Sequence, residues 1–171
     1  MGSIDDADRA DAVASRVQPV WDRVIEDAGA TAEAYREDDW DAIVCHPGDV
    51  TAVGDADVER ADARTGIDVL VPDDEFERVA AAVEGTGEFD EVEVFRAEEN
   101  GIVFVVAALE NATAETAILV PAYYDVRNAE NFLSTVAREG ELRLHVRPLD
   151  CRRVFTFAQD DPSPFLPADA D

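Results

Sequence analysis

The chain moves between two hydrophobic rhythms, and each change of rhythm marks a new element. Over residues 5–38, Val13, Val17, Val20, Trp21, Val24, Ala28 and Tyr35 recur every three or four positions, while Asp, Glu and Arg fill the other face. That spacing draws an apolar stripe along a helix, and such a stripe must pack on something. Pro19 falls inside the pattern and predicts a kink, or a fresh helix with Pro19 in its first turn. The rhythm then shortens. Asp41-Ala42-Ile43-Val44-Cys45-His46 reads as a strand, Pro47-Gly48 as a turn and residues 50–53 as a returning strand, so residues 41–53 predict a short hairpin. Residues 54–65 are polar with no β period and predict an acidic surface loop.

From residue 66 the pattern is stated twice, about 50 residues apart. Residues 66–110 and 115–159 each read strand, helix, strand, strand. The leading strands end in Leu70-Val71-Pro72 and Leu119-Val120-Pro121. In the first unit Asp74 is the expected N-cap, with Glu77 three residues on, a core face of Phe76, Val79, Ala80 and Val83, and a stop at Gly85. The second helix is expected to begin near Asp125, bury Ala129, Phe132, Leu133 and Val136, and stop at Gly140. The helices do not align at one constant offset, so a duplication and a chance likeness of two ordinary units both stand. Asn100-Gly101 marks a tight hairpin turn. The expected fold class is α+β in a single domain over residues 1–159. It comprises an N-terminal amphipathic helix, a short hairpin, and two β-α-β-β units that form a mostly antiparallel sheet with helices on one face. Residues 160–171, acidic and rich in proline, are expected to be extended or disordered, with Phe165 and Leu166 docking on the core rather than serving as a peptide ligand.

Charge changes the picture of where such a domain can live. Forty Asp and Glu face 14 basic residues, every one of them arginine, for a net charge of -26 over 171 residues. So much like charge repels itself in dilute buffer. At roughly 1 M salt the Debye length falls to about 3 Å and neighbouring carboxylates scarcely feel one another, so the composition points to the cytoplasm of a salt-in halophile. Disorder is not the expectation, because 47% of residues are apolar and fall in periodic runs. No apolar stretch approaches the roughly 20 residues that span a bilayer, and residues 1–6 carry neither a basic region nor an apolar signal segment. A cytoplasmic protein without membrane association is expected. Cys45 and Cys151 are too few and too far apart for a disulfide scaffold.

Five of the arginines crowd into the last hairpin: Arg138, Arg143, Arg147, Arg152 and Arg153. On a strand over residues 141–147, Arg143, His145 and Arg147 share one face. Arginine forks bind phosphate and carboxylate bidentately, so Arg143, His145, Arg147, Arg152 and Arg153 form a candidate site for an anionic ligand or a nucleic-acid backbone. The competing expectation is that they pair with the chain's own Glu139, Glu141 and Asp150. Cys45, His46, His145 and Cys151 are borderline or soft ligands, but adjacent strand residues point apart and no C-x-x-C occurs, so no metal site is expected. Cys45 reads as a small buried hydrophobe. Tyr123 and Tyr124 follow the strand end at Pro121 and precede a helix, a place where a loop presents side chains to a ligand; the plainer alternative places one in the core and one at the surface.

Tyr35-Arg36-Glu37-Asp38-Asp39-Trp40, His46-Pro47-Gly48-Asp49-Val50, Val69-Leu70-Val71-Pro72-Asp73, Pro121-Ala122-Tyr123-Tyr124-Asp125 and His145-Val146-Arg147-Pro148-Leu149 resemble the motifs of an uncharacterised haloarchaeal family, a domain of unknown function. The resemblance implies a haloarchaeal origin and transfers no catalytic residue.

The chain has no G-x-G-x-x-G, G-x-S-x-G or H-E-x-x-H, and without lysine it can build neither a P-loop nor a Schiff base. No cofactor is expected. The leading functional expectation is a non-catalytic protein-binding or adaptor protein with an unknown protein partner, a second copy of the chain included, acting by contact through the sheet or the N-terminal helix. Nucleic-acid or anionic-ligand binding through the arginine-rich hairpin comes second. A small enzyme using Tyr123, Tyr124 or His46 comes third.

Overall fold

The computed structural model describes residues 2–55, 64–150 and 153–167, with side chains described from Val17 onward except at Thr86. Helix α1 (Gly2–Glu37) is followed by β1 (Asp41–Val44), β2 (Asp49–Val53), β3 (Gly66–Leu70), α2 (Asp73–Thr86), β4 (Glu91–Glu99), β5 (Ile102–Asn111), β6 (Thr116–Asp125), α3 (Glu130–Glu139), β7 (Leu142–Arg147) and β8 (Phe155–Gln159). The element order is that of an α+β domain with an N-terminal helix and two successive β-α-β-β units. The strands do not share one sheet, however. They divide into two mixed four-stranded sheets ordered β1-β6-β5-β4 (sheet I) and β2-β3-β7-β8 (sheet II).

The inner strands of sheet I, β5 and β6, are apolar on both faces, while edge strand β4 is largely exposed. Along β5, Ile102, Phe104, Val106 and Ala108 turn one way and pack with Val17, Val20, Val24, Ala28 and Ala32 of α1. Their neighbours Val103, Val105, Ala107 and Leu109 turn the other way, into a second core shared with Ile67, Val69, Leu142, Leu144 and Val146 of sheet II, Phe76 and Val79 of α2, and Phe132 and Val136 of α3. Side chains alternate with period two along a strand, so a strand covered on both faces must read as an unbroken apolar run. The stripe on α1 finds its partner in this sheet. The helix runs continuously through Pro19, so no fresh helix starts there.

The predicted hairpin over residues 41–53 does not form. Strand β1 lies parallel to β6, while β2 pairs antiparallel with β3. The link between them carries the chain from one sheet to the other: the Cys45 N–H still bonds Leu119 of sheet I, and the Gly48 N–H already bonds Leu70 of sheet II, at 2.9 Å each. Ile43, Val50 and Ala52 all feed the same central core, so burial is better served by crossing than by reversing. The two β-α-β-β units are likewise split. In the first, β3 joins sheet II while β4 and β5 join sheet I; in the second, β6 joins sheet I while β7 and β8 join sheet II. The exchange is not symmetric, since β3 runs parallel to β7 whereas β6 runs antiparallel to β5.

Several local expectations also shift. Helix α2 starts at Asp73 with Pro72 in the cap position and no side-chain cap, and it ends at Thr86 with Gly87 at φ 95°, so Asp74 is not the N-cap. Asp125 caps a 3-10 turn over Val126–Asn128, accepting from the Arg127 N–H, and α3 begins at Glu130. Gly140 stops α3 in the left-handed region, as expected. The Asn100-Gly101 turn has positive φ at both residues, 55° and 81°, the requirement of a type I′ hairpin. The segment after β8 is described as far as Pro167, and residues 168–171 of the expected tail lie outside the described residues: Phe165 is fully buried in the central core and Leu166 packs beside it.

Candidate functional site

Strands β7 and β8 pair antiparallel, and the described arginines on and beside them meet the chain's own acids. Across sheet II, Thr51 pairs with Asp68, Asp68 with His145, and His145 with Thr156, one polar row over four strands. Arg147 Nε donates to Asp68 Oδ2 at 2.8 Å, with both side chains about a fifth exposed. Arg143 donates to Thr65 Oγ1 at 3.1 Å and to Glu139 at 3.2 Å, and its Nε lies 3.4 Å from Glu141. His145 is buried. Its Nε2–H donates to the Thr65 carbonyl and its Nδ1 accepts from the Thr156 hydroxyl, both at 2.8 Å. Burial lowers its pKa, the Thr65 bond opposing, so the ring is held neutral with both nitrogens occupied. Arg153 pairs with Glu84 and lies over the Phe155 ring, 5.2 Å from its centroid. Arg138 pairs with Asp55, whose carboxyl is held below its ordinary value by that guanidinium and by Asn131. Arg152 and Cys151 lie outside the described residues.

Tyr123 and Tyr124 sit inside β6 rather than on a loop. The strand continues past Pro121 because β1 ends opposite Leu119, so proline falls where that side of β6 is already an edge. Tyr123 meets Trp21 edge-to-face, ring centroids 5.1 Å apart, and lies tilted against Phe104 at 6.0 Å. Tyr124 is buried and its hydroxyl donates to the Phe165 carbonyl at 2.7 Å, with burial raising its pKa.

Cys45 and His46 occupy the link between the sheets. Cys45 is buried, which pushes its thiol up to about 12. His46 points out. Glu75, in the first turn of α2 and 8% exposed, accepts from the His46 backbone N–H at 2.6 Å and meets His46 Nδ1 at 2.7 Å. A buried carboxylate must be bonded to be tolerated, and here one histidine supplies both bonds, clamping α2 to the crossing. The imidazole is fixed with Nδ1 toward the carboxylate. Among the described residues, no group of three or more His, Cys, Asp and Glu is placed to hold a metal ion.

The parallel strands β3 and β7 end side by side, a place where crevices open in mixed and parallel sheets. Here the chain leaves through Val71-Pro72 on one side and Pro148-Leu149-Asp150 on the other. Between these exits lies a hollow of about 330 Å³ lined by Gly48, Leu70, Val71, Pro72, Asp73 and Leu149. A second of about 240 Å³ adjoins it, lined by Asp73, Phe76, Glu77, Pro148, Asp150 and Arg153. Leu149 is 76% exposed. Sequence reading passed over this place; its one signal was a large apolar residue wedged between Pro148 and an acid.

The chain belongs to a family of unknown function (DUF7529), whose model matches residues 7–167. No curated protein and no solved structure matches it. Among the described residues, no helix is long and apolar enough to cross a membrane.

Proposed function

We propose that this is a non-catalytic protein-binding domain working in the salt-rich cytoplasm of a haloarchaeon, and that it grips its partner at the paired ends of β3 and β7. The single observation that carries this reading is Leu149, a large apolar side chain 76% exposed at the lip of an apolar hollow. Exposed apolar surface rimmed by polar groups marks contact sites. Three acids, Asp73, Glu77 and Asp150, line the two hollows, and the one arginine beside them among the lining residues, Arg153, is paired with Glu84. The partner is therefore a protein segment bringing an apolar anchor flanked by arginine or lysine. Strong salt weakens the charge attraction and leaves the apolar anchor to supply affinity. The composition supports the setting, since a lysine-free chain of net charge -26 is fitted to brine. Anion or nucleic-acid binding ranks second because each described arginine of the hairpin already meets a carboxylate.

Two fluorescent peptides test the reading in concentrated KCl, one with a central Leu-Phe flanked by arginines and one flanked by glutamates. The arginine peptide is expected to bind at least tenfold more tightly, and Leu149→Ser to lower its affinity at least tenfold. Equal binding of both peptides, or binding indifferent to Leu149→Ser, overturns it.

A further inference from the structure

Helix α1 lies across β1, β6 and β5 and leaves β4 open. Glu91, Glu93, Phe95, Ala97 and Glu99 stand on the face of sheet I that the helix covers elsewhere, because Ala108, Val106, Phe104 and Ile102, the ladder partners of the last four, pack against it. All five are exposed. Phe95 is 45% exposed, and the described residues hold one other large apolar side chain so open, Leu149 at the ends of β3 and β7. Strand β4 also closes the order of sheet I, so its outer edge pairs with no strand. Edge strands are commonly blunted by shortness, proline or a bulge. The other edge strands, β1, β2 and β8, hold four or five residues each. Strand β4 holds nine, with no proline, and its ladder to β5 runs unbroken over all of them.

The charges along this strand define what fits it. Glu91 stands directly opposite Glu110, a like-charged pair that costs stability, and the Tyr35 hydroxyl donates to Glu110 without neutralising it. Glu93 follows on the same face, and Glu99 at the other end meets Arg23 at 3.4 Å. Two acids, two apolar residues and a third acid form a row that a neighbouring strand completes with cations at its ends and apolar residues in its middle. We infer that an extended segment of a partner protein adds to β4 as an antiparallel strand of sheet I. Its alternate residues read basic, apolar, apolar, basic, basic, lying opposite Glu99, Ala97, Phe95, Glu93 and Glu91. Main-chain bonds to the open edge supply affinity and the side chains set the register. Because salt screens the charges, Phe95 carries more of the side-chain contribution in brine. This surface is separate from the hollow beside Leu149 and does not depend on it.

The test uses the full-length chain in concentrated KCl and two labelled peptides as long as β4. In the first, alternate residues read Arg, Val, Val, Arg, Arg with threonine between them; the second has the same residues in reverse order. The first is expected to bind more tightly and to slow hydrogen exchange at every second amide of β4, since alternate N–H groups of an edge strand point outward. Phe95→Ser is expected to lower its affinity about tenfold, the scale of a truncated anchor, while Leu149→Ser leaves it unchanged. Should Phe95→Ser fail to fold, the wild-type exchange pattern decides: protection along β4 supports the inference, and protection around Leu149 instead overturns it. Equal or tighter binding of the reversed peptide, binding indifferent to Phe95→Ser, binding lost in Leu149→Ser, or no binding by wild type overturns it as well.

Discussion

Sheets I and II solve the same problem in opposite ways. The inner strands of sheet I are apolar on both faces, one against α1 and one against the central core. Sheet II is apolar on its inner face only, and its other face carries the row Thr51, Asp68, His145 and Thr156 with Arg143 and Arg147 on either side. The difference teaches that charged and titratable residues in this molecule are not by that fact surface features. Where the first sheet gains stability by removing carbon from water, the second does so by completing hydrogen bonds around half-buried charges.

That contrast can be broken by experiment, beginning with the largest effect. Phe104→Ala empties a position where α1 meets sheet I and is expected to cost about 3–5 kcal/mol, read as a lowered midpoint in denaturant titrations at fixed KCl. A loss below about 1 kcal/mol would mean that the helix contributes little to holding the sheet. On sheet II, Asp68→Ala removes the carboxylate that Arg147 Nε meets at 2.8 Å and is expected to cost about 2 kcal/mol, most of it regained when Arg147→Met is added, because a half-buried charge that loses its counter-ion hurts more than a missing pair. Failure of the second change to rescue the first would show that the pair is not an energetic unit.

The smallest effect is one of pH. Because burial lowers the His145 pKa in the folded chain, the unfolded chain takes up the proton first as pH falls below the ordinary value of about 6.5. Stability relative to His145→Gln is therefore flat above that value. It declines by up to about 1.4 kcal/mol per pH unit down to the folded pKa, then levels off. A constant difference between the two chains from pH 5 to 8 would show that His145 is not buried neutral.

What the sequence disclosed and what it withheld divide along the same physical line. Local rules were readable. The Asn100-Gly101 turn, the stop at Gly140 and the helical stripe of Val17, Val20, Val24 and Ala28 each depend on a few neighbouring residues. Pairing partners were not, because they depend on contacts made far along the chain. Strand β1 lies beside β6 instead of β2, and nothing within residues 41–53 encodes that choice. The strand through Pro121 looked finished to a local rule, although an edge tolerates proline and carries Tyr123 and Tyr124 onward. The clustering of arginines on one hairpin was evident, and so was the prospect that they would pair internally. Glu75 was invisible among 40 acids until its burial set it apart. Leu149 could not be ranked without knowing that two strands end beside it.

The crossing at Cys45 gives the molecule an internal clock. Its thiol sits where the polypeptide passes from one sheet to the other, sealed from water and kept protonated by burial, and a thiol in that state is inert to alkylating reagents. Labelling at Cys45, timed against a Cys45→Ser control, therefore counts the moments when the two layers part, and reports whether brine slows their breathing.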